Sequence, residues 1–209
     1  MENIEVLCHS AIRFSENKII YFDPYKINKN YNDADYIFVT HDHYDHFSEE
    51  DILKVKKDET KIIVPNDLLE KSKKLGFDKE NILTVIPNSS YKIDDITFET
   101  IPAYNVNKNF HPRANNWIGY IINLNNTIYY IAGDTDITEE NRKVKCDVAF
   151  VPIGGTYTMT AKEAATLVNE IKPKIAVPIH YGLIVGTKED ATTFKNSLNN
   201  DIKCEILIK

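Results

Sequence analysis

The stretch His41-Asp42-His43-Tyr44-Asp45-His46 places four metal-capable side chains, those of His41, His43, Asp45 and His46, within six residues. Three of the chain's six histidines fall in it. In an extended or turning segment alternate residues share a face, so 41, 43 and 45 point one way and His46 another. One ion cannot readily take all four. The spacing suits two adjacent divalent ions, with His41 and His43 serving the first and Asp45 and His46 the second. Nitrogen ligands with one carboxylate favour zinc, with manganese or iron as alternatives, over calcium or magnesium. A solvated polar loop is the plainer alternative, but it gives no reason for half the histidines to gather here.

Two distant segments end in further candidate ligands. Ile128-Tyr-Tyr-Ile-Ala-Gly-Asp134-Thr135 is an apolar strand running into a carboxylate, with a glycine that lets the backbone come close. Asp134 is placed to bridge two ions; otherwise it is a turn aspartate capping a helix. Ile175-Ala-Val-Pro-Ile-His180-Tyr-Gly182 is a second apolar strand ending in a histidine. A lone histidine at a strand end is usually packed, yet this is one of only three outside the cluster.

Together these segments resemble the metallo-β-lactamase superfamily. THDHYDH (40–46) is similar to its H-x-H-x-D-H motif, AGDT (132–135) to its bridging-aspartate segment, and PIHYG (178–182) to its last histidine segment. PIGGTYTM (152–159) resembles the branch of small cytoplasmic hydrolases like the ascorbate-phosphate lactonase. The resemblance spans nearly the whole chain in order. It implies an α/β fold, a four-layer αββα sandwich of two mixed β-sheets with the metals at one edge, and metal-assisted hydrolysis with Asp45 as the catalytic proton acceptor. It implies a second ion held by Asp45, His46, His180 and a shared Asp134. The first ion needs a third histidine between the His-rich motif and Asp134, and His111 is the one histidine in that interval. Related sequences carry theirs where the strand ends, a position held here by Tyr104 or Asn105. Either His111 reaches the ion from the loop, or Asn105 or a water fills the place and His111 faces the substrate. His9 and Asp23 resemble positions that orient ligands, with ordinary packing or turn chemistry as the alternative.

Paired ions acidify a water held between them and stabilise charge on the attacked oxygen. No G-x-S-x-G elbow suggests a covalent route. The expected reaction is hydrolysis of an ester-like bond (lactone, thioester or phosphodiester) in a small molecule, with anions among the candidates. Lys108 and Arg113 flank His111 and can hold a phosphate or carboxylate, or are plain surface cations. Asn105 and Tyr157 are further candidates for substrate contact, Tyr157 from a flexible Gly154-Gly155 lip. The rival readings are a nuclease of the same superfamily, a two-iron redox enzyme, and a non-catalytic metal-binding module. The redox branch has a glutamate where His43 stands and carries a flavin domain. A net charge of −6 with interspersed signs argues against a nucleic-acid partner, which calls for a basic patch or stripe.

The elements that must position these residues read as follows. Short strands are expected at Glu5–Leu7, Ala11–Ser15 and Ile19–Phe22, the last closed by Asp23-Pro24. A buried apolar strand, Tyr36–Thr40, leads straight into the His-rich block. Ser48 followed by three acids reads as a helix start. Strands follow at Lys61–Val64, Ile82–Ile86, Ser90–Ile93 and Ile96–Ile101, with a helix from Asn66 to Lys74. Trp117–Leu124 and Thr127–Ala132 form a hairpin around Asn125-Asn126, residues that tolerate positive φ. The last third alternates strand Val148–Val151, helix Thr160–Ile171, strand Ile175–Pro178, helix Lys188–Leu198 and strand Cys204–Ile208.

A length of 209 residues fits one domain, 1–209, able to bury a core without disulfides. Three scattered cysteines suit a reducing compartment. There is no basic, apolar leader, and no run approaches the ~20 apolar residues a bilayer requires. A cytoplasmic protein with no membrane partner is expected, its oligomeric state open.

Overall fold

Every candidate ligand lies at or beyond the end of a strand, and the strands belong to two mixed sheets. The computed structural model describes Met1 and residues 3–208. Two compact units are present, residues 1–85 with Ile208 and residues 86–207.

The first unit holds a six-stranded sheet in the order β1 (Ile4–Cys8), β2 (Ala11–Ser15), β3 (Ile19–Phe22), β4 (Ala34–Phe38), β5 (Lys56–Pro65) and β6 (Ile82–Val85). The first three pair antiparallel through tight connections, and β3 to β6 pair parallel. Parallel neighbours need a crossover. That between β4 and β5 contains the His-rich turn and helix α1 (Glu49–Val55); that between β5 and β6 contains α2 (Leu69–Lys74). Ser48 caps α1 as expected, accepting from the Asp51 amide, with Glu49, Glu50 and Asp51 in the first turn. Burial works against the Asp51 charge, but hydrogen bonds from Lys54, Ser48 and the Lys26 and Ile27 amides hold its pKa below the ordinary value. The two amide bonds, 2.7 and 3.0 Å, tie the segment after Asp23 to α1. A core of Tyr21, Ile37, Val39, Phe47, Ile52, Ile62 and their neighbours packs around this arrangement.

Two strand boundaries differ from expectation for identifiable reasons. β4 ends at Phe38 rather than Thr40, and the Thr40 amide donates to Asp23 Oδ1 at 2.8 Å. β5 begins at Lys56, where Thr60 Oγ1 donates to Ala34 O and accepts from Lys57 N across an irregular register. The helix expected from Asn66 opens as a 3-10 turn over Asn66–Leu68 before α2.

The second unit holds a seven-stranded sheet. β7 (Ser89–Ile93), β8 (Ile96–Pro102), β9 (Ile118–Leu124) and β10 (Thr127–Ile131) pair antiparallel in sequence order. From β10 the sheet continues parallel through β11 (Val148–Pro152), β12 (Ile175–Ile179) and β13 (Lys203–Cys204). Asn125 and Asn126 take φ of +50° and +62° at the hairpin, the paired left-handed conformation of a two-residue turn. Helix α3 (Ala161–Ile171) starts with the expected Thr160/Glu163 capping box. It buries Ala161, Ala164, Ala165, Leu167, Val168 and Ile171, one apolar face at helical spacing. Helix α4 (Lys188–Ser197) buries Ala191 and Phe194. The last strand is shorter than the expected Cys204–Ile208; beyond Cys204 the Glu205 amide still donates to Ala176 O. Among the described residues no helix is long and apolar enough to cross a membrane.

Candidate metal centre

The first unit builds its ligands on a tight turn. The amides of His46 and Phe47 both donate to His43 O, at 2.9 and 2.7 Å, which folds residues 43–47 back on themselves. Asp23 stands behind this turn. It accepts from Thr40 N (2.8 Å), from Thr40 Oγ1 (2.7 Å) and from His46 Nδ1 (2.7 Å). A carboxylate only accepts, so the His46 Nδ1 carries the proton and its Nε2 keeps the lone pair a metal uses. Thr40, having given its hydroxyl proton to Asp23, accepts from His41 Nδ1 at 2.9 Å. The same logic presents the lone pair of His41 Nε2, which lies 3.0 Å from His43 Nδ1. Asp45 Oδ2 lies 3.7 Å from His46 Nε2 and 3.2 Å from His9 Nε2. Ligand atoms of His9, Asp45 and His46 all fall within 4.8 Å of one another.

The second unit converges on Asp134, just past β10. Asp134 Oδ2 is 3.1 Å from His111 Nε2 and 3.0 Å from His180 Nε2. All three residues are buried. His111 is aimed by Asn105, whose Oδ1 accepts from the His111 amide at 3.0 Å and from its Nδ1 at 3.1 Å. The Asn105 amide group in turn donates to Tyr157 O at 2.9 Å. His180 is seated against Gly154, where an added Cβ would lie 2.4 Å from His180 O.

Some of these positions carry a positive φ. His9, Asp23 and His180 have φ of +54°, +44° and +58°. A non-glycine residue there costs on the order of 1 kcal/mol or more and persists where the surroundings hold it. His9 occupies the first position of the β1–β2 turn, where glycine or asparagine would be unstrained, and its side chain is buried against Asp45.

The donor sets suit first-row transition ions. Ligands at 2.0–2.2 Å from a tetrahedral ion stand about 3.3–3.6 Å apart, and the separations within each unit, 3.0–3.7 Å, bracket that span. A family model described as a β-lactamase superfamily domain matches residues 12–181. The chain belongs to the metallo-β-lactamase superfamily. A UPF0173 metal-dependent hydrolase of Nanoarchaeum equitans is 32% identical over 202 residues, covering 92% of this chain and 89% of its own length. Another from Pyrococcus horikoshii is 29% identical, covering 100% and 96%. A solved structure from Parabacteroides distasonis, described as a metal-dependent hydrolase, is 31% identical with a TM-score of 0.82, covering 98% of this chain and 91% of that one.

As a superfamily member the chain shows support residues that sequence reasoning passed over. Thr40 belongs to the strand-end run, and its part in aiming His41 depends on Asp23 arriving beside it. The Gly154-Gly155 stretch, expected as a flexible lip, is pinned instead: Gly154 bridges Thr160, and the Gly155 amide donates to Met159 O. Lys108 and Arg113 do not stand alone. Lys108 Nζ lies 2.6 Å from Asp136 Oδ1, and Arg113 Nη2 lies 2.6 Å from Glu140 Oε1. No cysteine is poised as a nucleophile: burial pushes Cys146 up to about 12 and Cys204 up to about 11, and raises Cys8, so all three stay thiols near neutral pH.

Removing the Asp23 carboxylate tests the support. Asp23→Ala strips the acceptor from both His46 and Thr40, and metal affinity is expected to fall about 10–100-fold. Competition with a chelator measures it; unchanged affinity would mean that His46 is oriented by other contacts.

Proposed function

We propose that this chain is a hydrolase that cleaves an ester-like bond of a small molecule with about two transition-metal ions, zinc foremost. The observation that carries this reading is the way three of the rings are held from behind: His41 by Thr40, His46 by Asp23 and His111 by Asn105. Ligand histidines are held this way, one ring nitrogen spent on a partner so that the other can face an ion. By motif, His41, His43, His111 and Asp134 would hold one ion, and Asp45, His46, His180 and Asp134 the other. In this reading residues 1–209 are one catalytic domain.

Bound metal supplies an acidified water and charge stabilisation at the attacked oxygen. The chain supplies the rest. Asp45 takes the proton at Oδ2, 3.2 Å from His9 Nε2, and passes it to the leaving group. Asn105, through His111, keeps the ring edge turned to Asp134. The stretch Pro152–Met159 supports a place in the lactonase-like branch, so lactones and thioesters lead the candidates, ahead of phosphodiesters. Three free cysteines support a cytoplasmic setting.

Elemental analysis of purified protein, with and without reconstitution, is the test, paired with a turnover screen over lactones, thioesters and phosphodiesters. About two ions per chain and turnover lost on chelation are expected. Protein that takes up no transition metal would remove the reading. Metal-loaded protein inert on every substrate would favour a binding module.

A further inference from the structure

The loop that carries His111 also turns large apolar side chains to solvent. Val106 is 65% exposed and Phe110 47%. Phe110 immediately precedes His111, and its ring meets Tyr157 edge to face, centroids 4.7 Å apart at 84°. The backbone beneath them is held in place. The Asn105 amide donates to His111 O at 2.8 Å, closing the loop at its base. Val106 N donates to Asp136 Oδ2 at 2.9 Å, and Asn105 Nδ2 to Tyr157 O. An exposed aromatic pair beside a candidate ligand removes its apolar area from water only when something apolar lies on it.

The charges of the same loop point the same way. Lys108 is neutralised by Asp136. Arg113 is neutralised by Glu140 and lies over the Tyr104 ring, 4.9 Å from its centroid. An anion approaching His111 over this loop meets cations whose charge a carboxylate already offsets, whereas an alkyl or aryl group needs neither.

We propose that Val106, Phe110 and Tyr157 form a specificity wall for an apolar acyl or aryl group next to the scissile bond, making the substrate an uncharged ester-like compound rather than a phosphorylated one. This rests on the hydrolase reading, and the experiment has an arm that does not.

In the first arm, a series of non-hydrolysable alkyl methyl ketones from butyl to decyl is titrated by calorimetry into the protein as purified. Affinity is expected to rise about two- to fourfold per methylene, with a negative heat-capacity change that marks apolar burial. In the second, kcat/KM is measured on alkyl lactones or thioesters of the same lengths, beside a phosphorylated lactone. The wild type should show the same slope, carried by KM, and disfavour the phosphorylated substrate. Phe110→Ala should flatten both slopes while metal content stays at the wild-type level. Phe110→Leu, which keeps apolar area, should retain most of each slope. A wild-type series with no chain-length dependence, slopes untouched by Phe110→Ala, or preference for the phosphorylated substrate would overturn the proposal. Absence of turnover with a chain-length slope in binding would sink the hydrolase reading and leave the apolar wall standing.

Discussion

Asp45→Ala is expected to lower kcat by about 10²–10⁴-fold on the best substrate, the range supplied by a positioned proton acceptor. Asp45 sits in the turn after β4, almost fully buried, with His9 and His46 as its near neighbours. The backbone bonds that shape this turn run from His46 and Phe47 to His43 O and use no atom of the Asp45 side chain. The variant should therefore fold, with a thermal midpoint near that of the wild type. Loss of activity by itself would leave two roles mixed, because Asp45 is proposed both to hold an ion and to move a proton. Asp45→Asn separates them. Its amide oxygen can still face a metal but cannot take a proton at neutral pH. If proton transfer is the larger role, Asn should keep more of the second ion than Ala while remaining nearly as slow. An Asp45→Ala enzyme with wild-type kcat would place the proton acceptor elsewhere, and His9, 3.2 Å away, would be the first residue to replace.

Much of this arrangement could be read before any coordinates, because the signals were local. An apolar run that stops at a cluster of histidines marks both a buried strand and a site at its end, and β4 with residues 41–46 bears this pattern. The Thr160/Glu163 capping box and the Asn125-Asn126 turn are likewise decided within four residues of chain. What escaped depends on chain brought in from a distance. Thr40 leaves its expected strand because Asp23, 17 positions earlier, offers a carboxylate to its amide. Gly154 reads as part of a flexible lip or a plain loop, and the His180 carbonyl that stands where its Cβ would be comes from a distant strand end. Lys108 and Arg113 read as anion holders or plain surface cations, and their partners Asp136 and Glu140 lie more than 25 residues on. Exposure of Phe110 beside a buried His111 is equally invisible in a sequence, where neighbouring residues carry no sign of which way each faces.

His111→Ala should selectively abolish tight binding of one of about two ions. The reason lies in the division of labour between His111 and Asn105. If Asn105 were the ligand, its side-chain oxygen would have to be turned to a metal. That oxygen instead accepts two bonds from His111, at 3.0 and 3.1 Å, and the amide nitrogen is spent on Tyr157 O. The His111 Nδ1 is thereby protonated, and Nε2, 3.1 Å from Asp134, presents the lone pair. If His111 is the ligand, its loss costs more than the ~10–100-fold in affinity typical of losing a residue that merely orients one. Asn105→Ala should cost about that smaller amount, at the same ion. The other ion, assigned to Asp45, His46, His180 and Asp134, should respond little to either change. Equilibration of both variants against a graded chelator series, with metal counted at each step, resolves the two steps of release. The graded order, His111→Ala worse than Asn105→Ala and both at one ion, is the expected result. The reverse order would make Asn105 the ligand. Two ions held at wild-type affinity in His111→Ala would remove His111 from the metal altogether, and a raised KM in that variant would move it to the substrate.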